Sequence, residues 1–201
     1  MQSGLGEFLR KTVHIAGVLA IPILDQLGAV KTAALFFLLA AGLYAYPLVV
    51  EKMDKTPFGR FLRAFRSVLD FLERKDHLRY SGAIGFFVSI GFIALALPEK
   101  IAAISIIVLC VGDGISTLAG RVIGRNRLFH NESKSWEGSL SGFAASAAVC
   151  LLVTNPPTAV FASFVGMAVE SLDMKISDNL SVPLVVGVTT YAVSYAGLLA
   201  V

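Results

Sequence analysis

The sequence predicts an all-α membrane protein of about seven transmembrane helices, with a cytosolic amphipathic helix near 57–74 lying in the interface. Three observations predict it. The 201-residue chain is 56% hydrophobic and 15% charged, with a mean hydropathy of +0.75, against roughly 25% charged residues in soluble domains. Several stretches of about 20 residues carry no charge. Of 17 lysines and arginines, all but Lys31 and Lys100 fall within 1–11, 51–79, 121–137 and 172–181. The first observation excludes a soluble globular domain, because a chain of this length cannot hide so much apolar surface in its own core. The third is the cytosolic excess of Lys and Arg seen in membrane proteins, and moving one span would destroy it. The chain reads as one integral-membrane catalytic domain, 1–201, with a cytosolic N-terminus and an external C-terminus.

The spans follow in order. TVHIAGVLAIPIL begins after Arg10 and Lys11 and extends to about Gly28. Asp25 and Gln26, not a small-residue cleavage site, follow its apolar part, so it reads as a retained span and not as a signal peptide. The second span lies between Lys31 and Glu51, the third between Arg79 and Glu99. Each supplies about the 20 apolar residues that cross a hydrocarbon core of about 30 Å. Between them, PFGRFLRAFRSVLDFLERK sets Phe58, Phe61, Leu62, Phe65, Leu69 and Leu72 at helical spacing, with Arg60, Arg63, Asp70 and Arg74 on the remaining surface. Such a helix suits the headgroup layer, as an anchor or as a rim that admits a lipid beside the site. IAAISIIVLCVG at 101–112 is short alone and continues into the motif after it. The uncharged stretch 138–169 is divided by Asn155–Pro157, because proline lacks a donor and restricts the residue before it. Two helices result, about 138–154 and 157–171. The last span runs from Ser181 to Val201. Cys110 and Cys150 lie in apolar runs and read as buried thiols, neither a disulfide framework nor a metal motif.

The residues able to carry chemistry collect on one face. Asp113 follows the apolar run directly, between Gly112 and Gly114. A carboxylate at a span is costly and usually faces a polar cavity or a site, and small neighbours let a ligand approach. Gly120 and Gly124 alternate with Arg121, Arg125 and Arg127. This pattern suits phosphate oxygens, although GxxxG also means helix packing. Lys134, Ser135, Glu137 and Gly138 open the next helix, where Ser135 is a natural cap and Glu137 complements the dipole. The same lysine and glutamate also supply a phosphate cation and a carboxylate. Glu170, Asp173 and Asp178 follow the sixth span, and His14 stands one turn inside the first. Carboxylates with substrate phosphates are the usual way Mg²⁺ is held, and cations stabilise a transferring phosphoryl group. The set points to phosphate chemistry at a cytosolic membrane face. A transporter would place polar residues at mid-membrane on several spans, which is not the pattern here, and no nucleic acid is expected as a partner.

These pieces, taken in order, resemble the CTP-dependent polyprenol and dolichol kinase family, grouped with phytol kinase, CTP-dependent diacylglycerol kinase and the phosphatidate cytidylyltransferases. The matching pieces are Arg10-Lys11-x-x-His14; Gly112-Asp113 with Gly120-Arg121 and Gly124; Lys134-Ser135-x-Glu137-Gly138; and Glu170 with Asp178-Asn179-Leu180 before Pro183. The resemblance implies CTP as co-substrate, Mg²⁺, and a lipid alcohol as acceptor, with the nucleotide segment at 113–138. It implies catalytic roles for Asp113, Lys134, Glu137 and His14. Nucleotide contacts would come from Gly112, Gly120, Arg121, Gly124, Arg125, Ser135, Gly138 and Asn179, and metal contacts from Asp113, Asp178 and Glu137. The C-terminal His-Gly-Gly and Asp-Arg signature of CDP-diacylglycerol synthases is absent from the sequence, which lowers the alternative of cytidylyl transfer. Oligomeric state is not legible.

Overall fold

The computed structural model describes residues 4–53, 56–72, 79–172, 174 and 176–200. Helices dominate them: α1 (Gly4–Ala16), α2 (Ala20–Leu27), α3 (Ala29–Lys52), α4 (Pro57–Leu72), α5 (Ser81–Ala96), α6 (Glu99–Ile107), α7 (Gly114–Val122), α8 (Trp136–Cys150), α9 (Pro156–Ser171) and α10 (Asp178–Tyr195). A π segment, Val108–Asp113, joins α6 to α7 without a break. Among the described residues two helices are long and apolar enough to cross a membrane, Ala29–Lys52 and the continuous Glu99–Val122, while Ser81–Ala96 is apolar but shorter. The helices α8, α9 and α10 have 15, 16 and 18 residues.

The α6 helix is the axis of the molecule. Ile104, Ile106, Val108 and Leu109 are completely buried, and α5, α8, α9 and α10 pack around this helix and the π segment. Its apolar residues are therefore hydrophobic all round, as expected of a core helix. One cluster joins Ile107, Val108 and Leu109 to Ala159 and Ala162 of α9 and to Val182 and Val186 of α10. A second joins Ala102 and Ile106 to Leu24, Phe36, Ile90 and Ile93.

Two expectations change and a third is extended. The first span is not one helix. After Ala16 the chain tightens into a 3₁₀ turn, Gly17–Leu19, before α2, which ends at Gly28 with φ +75°. A Cβ on Gly17 would lie 2.5 Å from the Phe86 ring, so this turn sits against α5 at a distance that favours glycine. The span at 101–112 continues into the motif after it, and further than its shortness required, as helix to Val122, so Asp113 lies inside a long helix. Finally, the chain is not wholly α. Arg127–Leu128 (β1) pairs antiparallel with Asn131–Ser135 (β2) in a small ribbon that leads straight into α8.

Other boundaries fall where proline and capping place them. The Asn155 side chain accepts from Thr158 N at 3.0 Å and starts α9 at Pro156. The amphipathic helix is present as α4, opened by Thr56, whose hydroxyl accepts from Gly59 N at 2.9 Å. Asp70 of α4 accepts from the Tyr80 hydroxyl at 2.9 Å, and Tyr46 of α3 donates to the Leu62 carbonyl, so α4 is tied to α3 and α5. Arg74, Lys75, His77, Asp173 and Lys175 lie outside the described residues.

Candidate active site

Four elements bring charge to one place. On α1, Glu7, Lys11 and His14 stand one, two and three turns along one face. All three turn inward, with Glu7 and Lys11 buried. The π segment ends on Asp113, also buried. Glu170 closes α9, Asp178 opens α10, and the ribbon strand β2 delivers Lys134.

Lys11 Nζ donates to Asp113 Oδ2 at 2.6 Å, and His14 Nε2 lies 3.2 Å from the same oxygen. The His14 nitrogen is also 3.2 Å from the Leu109 carbonyl, with its ring edge-on to Phe86. Thr117 Oγ1, one turn on, reaches Asp113 Oδ1 at 3.5 Å. Ser116 bridges to the next group, donating to Glu170 Oε1 at 2.9 Å. Lys134 Nζ pairs with the same Glu170 oxygen and lies 3.5 Å from Asp178 Oδ2. Burial opposes the Lys134 charge, but Glu170, Asp113 and Asp178 outweigh it and hold the ammonium pKa above the ordinary lysine value. At the outer edge, Glu7 pairs with Arg10 and lies 3.7 Å from Arg121. The result is a chain of alternating charges in which each buried ion has a partner, the condition under which buried charge is tolerated.

This array lines one wall of a cavity of about 1430 Å³, together with Arg121, Arg127, Ser133, Ser135 and Asn179. Asn179 holds the site's frame, since its Nδ2 donates to the Gly82 carbonyl at 2.8 Å and its carbonyl accepts from Ser89.

The glycines set how close α7 and α8 come. A Cβ on Gly138 would be 2.6 Å from the Ser116 carbonyl oxygen and 3.0 Å from Gly120 Cα, and one on Gly124 would be 2.2 Å from the Gly120 carbonyl. Gly120, Gly124 and Gly138 thus serve packing first, although each also lines the cavity. Gly112 is buried against Met167, where a Cβ would fall 2.7 Å from the methyl carbon, and does not line the cavity. Ser135 caps α8 through Gly138 N at 3.1 Å.

Glu137 is not in the cluster. Its carboxylate is exposed, accepts from Arg125 N and Asn126 N at 3.2 Å and from Asn126 Nδ2 at 2.6 Å, and fastens the 123–126 turn to α8. Arg125 follows that turn outward, and Arg127 faces the cavity with Arg121 in its place. Lys11, Ser116, Thr117 and the buried Glu7 join this cluster, although the sequence reading assigns none of them a role. The i, i+4, i+7 spacing of Glu7, Lys11 and His14 is the signal that marks them. Nothing in the sequence marks Ser116 or Thr117 beyond their distance from Asp113.

A divalent ion is testable against this donor set. Among the described residues no group of three acids, histidines or thiols is arranged to hold a metal alone. Yet Glu170 Oε2 is buried with no hydrogen-bond partner among them, and Asp178 lies across Lys134 from it. Carboxylates so placed fit an ion that takes its remaining oxygens from substrate phosphates.

Comparison with known proteins bears on this arrangement. The chain is 28% identical to phytol kinase 1, chloroplastic, of Arabidopsis thaliana, over 90% of this chain and 65% of that protein. It is 37% identical to the phytol kinase of Synechocystis sp. over 60% of this chain and 55% of that one. With CTP-dependent diacylglycerol kinase 1 of Schizosaccharomyces pombe it shares 25% identity over 66% of this chain and 70% of the relative. These relatives support one family, the CTP-dependent lipid kinases. The chain spans less than two thirds of the length of the phytol kinases it matches. No family model and no solved structure matches it.

Proposed function

We propose that this protein is an integral-membrane kinase that transfers the γ-phosphoryl group of CTP to a membrane lipid alcohol. The observation that carries the reading is the buried Lys11–Asp113–His14 group beside Lys134, Glu170 and Asp178, all facing one cavity that is charged on one wall and apolar on the other. The names of the relatives supply the nucleotide and two acceptors, phytol and diacylglycerol; a polyprenol or dolichol is the acceptor that the sequence resemblance implies.

In this reading the lipid hydroxyl oxygen attacks the γ-phosphorus, the bond from that phosphorus to the β-phosphate oxygen breaks, CDP leaves, and the hydroxyl proton passes to a carboxylate. Asp113 is the acceptor of that proton, held in place by Lys11, His14 and Thr117. Lys134, Arg121 and Arg127 face the triphosphate and offset its charge as it develops. Glu170 and Asp178 are the residues that would hold Mg²⁺, which when bound neutralises the β- and γ-phosphate oxygens. Asn179, Gly120 and Gly138 shape the nucleotide wall. Most of the rate comes from positioning and charge, because phosphoryl transfer asks little covalent chemistry of a protein.

The same reading completes the topology: a single multi-pass domain of seven spans, with the N-terminus and the site cytosolic and the C-terminus external. The basic residues and the positive-inside rule support it.

Purified protein incubated with γ-labelled CTP or ATP and a panel of lipid alcohols tests the function. Label in the lipid with release of CDP is expected; pyrophosphate release would mean cytidylyl transfer. Asp113→Asn and Lys134→Ala are expected to lower kcat at least a hundredfold while eluting as folded protein in detergent. Full activity in either would overturn the assignment of the site.

A further inference from the structure

The cavity continues past the charged residues between α1 and α3. Its far part is walled by Leu38, Leu39 and Leu43 of α3 and by Val13 of α1, over a floor of Phe86 and Phe87 of α5. α3 packs chiefly on α5 while α1 packs on α7, so the two walls stand apart above the shared floor. The wall is open: Leu38 is 71% exposed and Val13 59%. The floor is not, since Phe86 and Phe87 are partly buried and stacked edge to face. His14 marks the junction, bonded to Asp113 on one side and against Phe86 on the other.

We infer that this groove holds the hydrocarbon chain of the acceptor, one chain lying along α5 between α1 and α3, with its hydroxyl end at His14 and Asp113. The inference rests on the lipid-kinase reading for the identity of the hydroxyl end. Exposed leucines alone would mean only contact with membrane lipid. Three features set this groove apart. It is continuous with the charged wall, so a molecule with a polar end and an apolar body matches both parts. At about 1430 Å³ the cavity exceeds the roughly 300–1,000 Å³ of a site for one small molecule, which leaves room for a nucleotide and a chain together. And α3 carries a glycine, Gly42, in the wall, with nothing within 4 Å of where its Cβ would stand. Leucines on either side of an empty notch form a channel that a larger side chain would close. The open side faces the bilayer in the proposed topology, so the acceptor enters sideways and a tail longer than the groove extends into lipid.

Gly42→Phe tests this, because the site has space for the ring without disturbing the fold. Purified protein in lipid nanodiscs is exposed to a long-chain alcohol bearing a photoreactive diazirine in its tail. Labelling is expected at residues 38–43 and 83–87. Unlabelled phytol is expected to compete with it, a hydrocarbon of the same length is not, and Gly42→Phe is expected to reduce it at least tenfold. Leu48→Phe, exposed on the same helix but outside the cavity lining, is expected to change nothing. Labelling spread evenly over the lipid-facing helices, or unaltered by Gly42→Phe, overturns the groove. In the kinase assay, Gly42→Phe is expected to raise KM for a 20-carbon alcohol tenfold or more, leaving KM for CTP and turnover of a five-carbon prenol as they are. Specific labelling without phosphorylation of any alcohol would leave the groove and overturn the kinase reading. Phosphorylation with equal loss for the long and short acceptors would do the reverse.

Discussion

Lys134 faces Glu170 and Asp178 directly and Asp113 at longer range, and a cation so surrounded ties its protonation to stability. Its pKa in the folded protein is raised, so the stabilisation is fully present below the unfolded value of about 10.4 and fades as pH rises through the folded one. Thermal melts in detergent between pH 9 and 12 should therefore show wild type losing Tm more steeply than Lys134→Met above about pH 10.5; parallel curves would refute the coupling. Residues of this kind are half legible in a sequence. Asp113 stands out because an acid beside an apolar run needs a reason, and the spacing of Glu7, Lys11 and His14 shows a shared face. Glu137 shows the limit. A glutamate in the first turn of a helix reads the same whether it binds a ligand or receives backbone N–H groups, and here it does the latter for Arg125 and Asn126.

Among elements, the crossing of α7 on α8 depends on what its glycines leave out. Gly138→Ala would press a methyl group to 2.6 Å from the Ser116 carbonyl, a backbone atom that cannot swing away. The crowding should cost about 1–3 kcal/mol and shift Ser116 off Glu170. A lower Tm together with reduced activity is expected, whereas Gly42→Ala, in open space, should leave the melt unchanged. A Gly138→Ala melt equal to wild type would show that α7 and α8 can separate freely. The helix boundaries written in proline and caps are readable from sequence, as at Asn155–Pro156. The β1–β2 ribbon is not, because NESKS is polar throughout and a two-residue partner leaves no alternating apolar pattern. The continuation of α6 into the motif at Asp113 follows from the shortness of 101–112, but its extent to Val122 is hidden for a related reason. Gly112, Gly114 and an acid look like a break, yet close packing against Met167 and Ile15 holds them helical.

At the scale of the whole molecule, composition points to a membrane protein, and in the proposed topology the two lysines set apart from the other basic residues lie on the external side. Single cysteines test that orientation, since native Cys110 and Cys150 are buried. With a membrane-impermeant maleimide, Lys100→Cys should label in intact cells and Arg125→Cys only after permeabilisation. The opposite pattern would invert the topology. What composition does not reveal is which helix forms the centre, because α3 and the continuous helix Glu99–Val122 are equally apolar by sequence and only packing separates an outer helix from an inner one. The Lys11–Asp113 pair has a consequence for how the protein is made. Its partners are 102 residues apart in the chain, and synthesis at about 5–20 residues per second separates them by roughly 5–20 seconds. A lysine at the mouth of a span costs less than the roughly 2.5–3.5 kcal/mol it would cost at the centre of one, and without its partner it is better solvated among headgroups. Through that interval α1 is better placed at the headgroup level, and its final seat awaits the arrival of the aspartate. A segment made 102 residues before its partner thus settles only when that partner arrives.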